Sequence, residues 1–308
     1  MSPYSKQTNN MALNHKGNSS LITALASILG WGMVGVFIRL SSLQSPLLII
    51  SIRFMITCIA LFLVLFFQRK TRQVFKDLFS DKVILVLSLI LFLTYFFGTM
   101  AFMLAPIGEV TLLISISPFF VILFRRLAGN VISRNEYIGT IVAVLGVATI
   151  MYPHLSSQLH FSGSSILGHI FAISGALLFA VFVMISNRQN VLNKQINTLS
   201  VTLGTCFFGI LIFLYIILFN KVEFSLASLS GVNIASIIAL GVFSTAIPTF
   251  GFAYASKKLP PLLLSNLLLL EPVFAIIFAY LFLSEAPNIY IYPGILLIFI
   301  GLSKVSKK

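Results

Sequence analysis

The chain has 308 residues, of which 58% are hydrophobic and 9% charged, with a mean hydropathy of +1.05. A soluble globular domain carries about 25% charged residues, so the composition excludes a soluble fold and describes an integral membrane protein, membrane domain throughout. The net charge of +13 would suggest nucleic acid in a soluble protein. Here the basic residues bear on orientation instead, and no nucleic-acid partner is expected.

Residues 1–19 are polar and read as a tail. The apolar run behind them is too long for a signal-peptide core and stays in place as the first span. A spanning helix takes about 20 apolar residues, and by that rule ten spans follow: residues 21–40, 46–67, 83–104, 107–127, 136–152, 164–186, 198–219, 232–256, 260–284 and 288–304. Pro106 and Pro260 mark tight turns between consecutive spans.

Taken in order, span 1 carries Trp31, the sole tryptophan, beside Gly30, Gly32 and Gly35, small residues that let other backbones approach. Trp31 reads equally as cavity wall or helix packing. Span 2 carries Arg53, the one basic residue inside a hydrophobic run. It lies near enough to one surface to snorkel, which makes it a structural anchor in the first reading and a carboxylate-binding or acid-pairing residue in the second. Tyr95 and Thr94 in span 3, Ser115 and Ser117 beside Pro118 in span 4, Ser244, Thr245 and Thr249 in span 8, and Tyr254 supply neutral hydrogen bonds. Pro248 is an expected kink. Glu109 opens span 4, where the helix dipole favours a carboxylate facing the headgroups. The cysteines, Cys58 and Cys206, sit within apolar runs and read as small buried side chains with no disulfide implied.

The sharpest anomaly is in span 9, LSNLLLLEPVFAIIFAYLFLSEAP. Glu271 stands near its middle, where a charged carboxylate costs about 2.5 to 3.5 kcal/mol on insertion scales. A carboxyl held there either bonds to a neighbouring helix and holds the bundle together, or binds a cation or carries a coupling proton. Ser265 and Asn266 precede it on the same helix and suggest a side that faces a cavity. Pro272 donates no backbone hydrogen bond, so the carbonyl of Leu268 is freed for other partners. Glu285 at the end of the span reads as a capping or loop-packing residue. His15, His154, His160 and His169 have no metal-ligand spacing, and there is no phosphate-binding loop; no metal, cofactor or enzymatic activity is expected.

An even number of spans puts both termini on one side. Seventeen Lys and Arg residues lie on that side, including Arg69, Lys70, Arg72, Lys76 and Lys82 between spans 2 and 3, against Arg39 and Lys221 on the other. By the positive-inside rule that side is the cytoplasm, and the basic loops attract anionic lipid. A repeat is also visible. Ala101, Pro106, Pro118, Gly139 and Gly146 are spaced almost as Ala255, Pro260, Pro272, Gly294 and Gly301 are. Spans 3 to 5 and 8 to 10 are versions of one unit, and five spans per half make the second copy inverted, a mark of alternating-access transporters. The halves cover residues 20–152 and 164–304.

These residues also carry a resemblance. The two five-span halves, the motif LLLLEPVFAIIFAYLFLSE and the closing span with Gly294 and Gly301 resemble the EamA-type transporters of the drug/metabolite transporter superfamily, with weaker matches at Trp31, Arg53 and Pro118. The first half departs from the pattern: Val131 stands where Glu285 stands in the second. The resemblance implies an all-α integral membrane protein of ten helices in two inverted repeats, a secondary transporter of the inner membrane. It would move a small organic metabolite, with or without proton coupling, and the few charges within the spans favour a zwitterion, cation or amphipathic drug over a multiply charged substrate. The resemblance also implies a central cavity formed mainly by spans 1, 3, 4, 6, 8 and 9; on the reading of the residues given above, Glu271, Asn266, Trp31, Tyr95, Ser117, Thr245 and Tyr254 are the substrate-binding or coupling candidates and Arg53, Pro118, Pro272 and Glu285 the structural ones. An uncoupled facilitator is the near alternative and a membrane scaffold or enzyme the remote one; the choice of monomer or dimer is open.

The charge asymmetry generates a prediction. With Cys58 and Cys206 replaced, single cysteines at Ser80 and Ser156 are expected to react with an impermeant thiol reagent from the cytoplasmic and external sides respectively. Reversed labelling overturns the orientation.

Overall fold

The computed structural model describes residues 15–43, 45–68, 71–105, 107–157, 163–192, 194, 196–219, 230–284, 287 and 289–306. Every regular element among them is helical, as a chain in lipid requires, since only a helix or a closed barrel satisfies its own backbone there. Among the described residues, nine helical segments are long and apolar enough to cross a membrane: Ser19–Ser41, Leu47–Phe67, Lys82–Leu104, Glu109–Leu127, Arg134–Tyr152, Ile166–Val191, Thr198–Tyr215, Gly231–Lys258 and Pro261–Leu283. The shorter apolar helix Ile291–Ser306 makes the tenth, and they are numbered spans 1 to 10 below. The first helix begins at His15, within the stretch read as a polar tail, and Glu285 lies outside the described residues.

Four spans are broken. Span 1 pauses at Met33 between helices His15–Gly32 and Val34–Ser41. In span 4, two residues, Ser115 and Ile116, separate helix Ile107–Ile114 from helix Ser117–Leu127. In span 8, a π-turn, Val242–Ala246, separates Gly231–Gly241 from Ile247–Lys258. In span 9, a 3-10 turn, Leu268–Leu270, separates Pro261–Leu267 from Glu271–Leu283. In spans 4, 8 and 9 the helix restarts with proline in its second position, Pro118, Pro248 and Pro272 respectively. Proline is tolerated at that place because no intrahelical bond is asked of its nitrogen. The Leu268 carbonyl, expected to be open to other partners, instead accepts the Glu271 N–H within the 3-10 turn.

The breaks in spans 4 and 9 fall at equivalent places in the two repeats, and the packing repeats likewise. Span 6 lies along span 3 as span 8 lies along span 1, and span 5 runs antiparallel to span 10. A methyl group placed on Gly146 would lie 2.7 Å from the Gly294 carbonyl oxygen, and one on Gly139 would lie 2.7 Å from that of Gly301. The glycines that marked the repeat in sequence are therefore the points where its two copies touch, backbone against backbone. Behind this seam, Ile28, Phe54, Leu91, Phe182, Phe252 and Leu269 from both halves share one core. The residues between spans 2 and 3 form a short amphipathic helix, Thr71–Ser80, with Val74 and Leu78 buried. Ser200 Oγ, donating to the Val74 carbonyl at 3.0 Å, and Asn197 Nδ2, donating to Asp77 at 2.7 Å, tie it to span 7.

Leucine at Gly146 or Gly294 is expected to force spans 5 and 10 apart and to lower the stability of the purified protein by about 1 to 3 kcal/mol, the range for overpacking a tight contact. Alanine at Gly35, which has no neighbour within 4 Å, is expected to leave thermal unfolding unchanged. Equal melting temperatures for all three variants would contradict the seam.

Candidate functional site

The site begins with Pro248. A proline withdraws one donor from the helix, leaving the carbonyl four residues earlier without its usual bond; for Pro248 that carbonyl belongs to Ser244. It is taken by Arg53 of span 2, whose Nη2 donates to it at 3.2 Å while Nε donates to Thr245 Oγ1 at 2.9 Å. Thr245 can accept because its own proton goes back to the Leu240 carbonyl at 2.8 Å, across the π-turn. Thr57 Oγ1, within 2.8 Å of the Gly241 carbonyl and 2.7 Å of that of Arg53, pins spans 2 and 8 together one turn away. Arg53 is 3% exposed. The snorkelling expected of it is therefore corrected: the guanidinium turns inward because a freed carbonyl and a threonine hydroxyl await it in the bundle.

The Arg53 guanidinium lies over the Tyr95 ring, 4.9 Å from its centroid. Tyr95 OH accepts from Trp31 Nε1 at 2.8 Å and shares a hydrogen bond with Thr249 Oγ1 at 2.8 Å. One phenol thus joins spans 1, 3 and 8. Trp31 also packs on Phe252, with ring centroids 4.9 Å apart, and meets Phe179 edge-on at 6.4 Å. Gly30 admits this arrangement, since a methyl group there would lie 2.4 Å from the Phe243 carbonyl oxygen of the π-turn. The Trp31 indole is the hub of this cluster.

Glu271 begins the second helix of span 9. The close approach of Gly32 to Phe274, 2.7 Å for an added methyl group, holds that helix against span 1. The Glu271 side chain is half-buried and interacts electrostatically with Arg53, yet no ion pair within 4.0 Å joins the two, and among the described residues no hydrogen bond reaches its carboxylate. Among the described residues, the centre thus holds a fixed guanidinium and a carboxylate that meets it through space without a hydrogen bond or close ion pair.

The other expected residues are placed apart. Ser117 is buried, and its hydroxyl has no partner among the described residues. Asn266, fully buried, donates to Thr140 Oγ1 at 3.1 Å and to the Leu262 carbonyl at 2.9 Å, and its Oδ1 has no partner among the described residues. Tyr254 lies at the end of span 8, where its hydroxyl bonds to Lys258 and its ring carries Lys257 and Lys258 on its face. Phe179, Phe252 and Thr249 complete the cluster; nothing distinguishes two phenylalanines among thirty in sequence. Glu109, in the first turn of span 4, bonds to His169 Nε2 of span 6 at 2.5 Å, with its side chain 12% exposed, a partner the sequence does not reveal. No group of three metal-binding side chains occurs among the described residues.

Two blocks of this chain, residues 18–152 and 166–306, match the profile of the EamA-like transporter family. The chain belongs to the EamA-like transporter family. Its two matched blocks are the two inverted five-helix repeats, and the protein is a multi-pass membrane transporter. The uncharacterized transporter YoaV of Bacillus subtilis (strain 168) is 24% identical over 275 residues, 88% of this chain and 91% of that one. A crystal structure of a protein 20% identical superposes with a TM-score of 0.77, covering 94% of this EamA chain and 96% of the other, and shares its fold.

Proposed function

We propose that this EamA-family protein is a secondary transporter of a small organic zwitterion of the amino-acid type, carried across the inner membrane by alternating access, with both termini in the cytoplasm. The observation that carries the reading is the pair of opposite charges, Arg53 and Glu271, set in the interior without bonding to each other. A guanidinium has five donors in a planar fork. Two of those of Arg53 go to Thr245 and Ser244, and the remainder suit a substrate carboxylate. The Glu271 carboxylate suits either the substrate's ammonium group or a coupling proton. Each charge is costly to bury alone, so a ligand with both signs offsets two penalties at once, which a cation or a neutral drug does not.

The broken spans 1, 4, 8 and 9 supply the places where one half can rock against the other, because short helices joined at turns rotate with few bonds lost. The 17 to 2 distribution of basic residues supports the orientation.

Glu271→Gln keeps size and hydrogen bonding but neither charge nor proton. At normal abundance it is expected to abolish proton-driven accumulation of the substrate in proteoliposomes and to weaken exchange of the zwitterion, since the ammonium end loses its partner. Exchange without accumulation in the parent itself would make the protein a facilitator. Parent-like accumulation by the mutant at every pH from acidic to neutral would remove Glu271 from the mechanism.

A further inference from the structure

On the outer surface of span 2, Ile59, Phe62, Leu63 and Phe66 line an apolar groove closed at one end by Thr71, the first residue of helix Thr71–Ser80. Its walls are well exposed, Phe66 at 77%, and they lie on a membrane span, so the groove opens toward lipid. Phe75 of the short helix packs on Phe62, with ring centroids 5.8 Å apart, and secures the corner where the helix meets the span.

The charge around that corner is of one sign. Arg72 and Lys76 lie one turn apart on the exposed side of the short helix, opposite buried Val74 and Leu78. The nearby acids are occupied: Asp77 accepts from Gln73 and Asn197, and Asp81 caps the next helix by accepting from the Val83 N–H at 2.8 Å. Arg69 and Lys70 precede the helix in sequence. An amphipathic helix at the membrane surface, basic on its polar side and continuous with an apolar groove running into the hydrocarbon, presents the two chemistries of a phospholipid in their order along that molecule.

We propose that this corner binds an anionic phospholipid, an acyl chain lying in the groove between Ile59 and Phe66 and the phosphate resting on Arg72 and Lys76. The binding is independent of the transport reading. Its selectivity over a zwitterionic lipid comes from the basic side chains, about 1 kcal/mol each near a charged surface, or roughly fivefold per residue.

A tryptophan placed at Phe66 tests this in the full-length protein, reconstituted with lipids brominated on the acyl chain. Brominated phosphatidylglycerol is expected to quench the added tryptophan at a mole fraction at least fivefold lower than brominated phosphatidylcholine. Arg72→Gln with Lys76→Gln, both at exposed positions, should equalise the two lipids while quenching by phosphatidylcholine persists, which shows the protein is still folded. Equal quenching by both lipids in the unmutated background overturns the proposal. So does an absence of quenching by either with cross-linking between copies at the same position, since the groove would then be an interface between two chains.

Discussion

The centre of the structure depends on one interaction, the capture of a buried guanidinium by a helix that has been locally unwound. Arg53 is tolerable inside the bundle because Pro248 leaves the Ser244 carbonyl open and the π-turn aims Thr245 at it. An isolated charge at that depth costs several kcal/mol, and hydrogen bonds to a charged group return about 1.5 to 3 kcal/mol each. The guanidinium in turn lies over Tyr95, and Tyr95 orients Trp31 and Thr249. Spans 1, 2, 3 and 8 are thus organised around a single cation. The groups that hydrogen-bond it are all neutral, so dipoles solvate the positive charge, and Glu271 acts on it through space and not by contact.

The inverted repeat explains the placement of the opposite charge. Pro118 and Pro272 are equivalent, and so are the residues before them, Ser117 and Glu271. Both stand at the first position of a helix restarting in mid-span. One half puts a small hydroxyl there and the other a carboxylate, so the near-symmetric scaffold carries a single acid at its centre. Glu109 breaks the symmetry in the other direction. Its counterpart by spacing is Leu263, so the contact with His169 between spans 4 and 6 has no equivalent at the opposite end. The seam of Gly139, Gly146, Gly294 and Gly301 is where the halves are most alike, and the sites of chemistry are where they differ.

Spans, repeat and family are legible in the sequence, because hydropathy over 20 residues and the spacing of Pro and Gly are properties of the chain in one dimension. Glu271 was legible for a similar reason, as a carboxylate in a run of leucines announces itself. Partners were not. Arg53 looked like a snorkelling residue because its distance from the end of its span permitted it, and only the fold shows that Ser244 and Thr245, more than 190 residues away, offer it a better environment. Pro248 signalled a kink but not a π-turn, and His169 could not be matched with a carboxylate 60 residues distant. Tyr254 and Asn266 stand on spans that line the centre, yet their bonds run to Lys258 and Thr140, a difference of helix face that residue type does not encode.

If Arg53 and Glu271 hold opposite ends of one substrate, each sets half of the charge selectivity. The direct measurement is counterflow in proteoliposomes with a panel of labelled zwitterions, organic cations and organic anions, comparing the parent, Arg53→Gln, Glu271→Gln and the double mutant at matched abundance. The account predicts that the parent prefers zwitterions, that Arg53→Gln turns preference toward cations, and that Glu271→Gln turns it toward carboxylates. Preferences that stay the same in all four proteins, with only the rates falling, would contradict it.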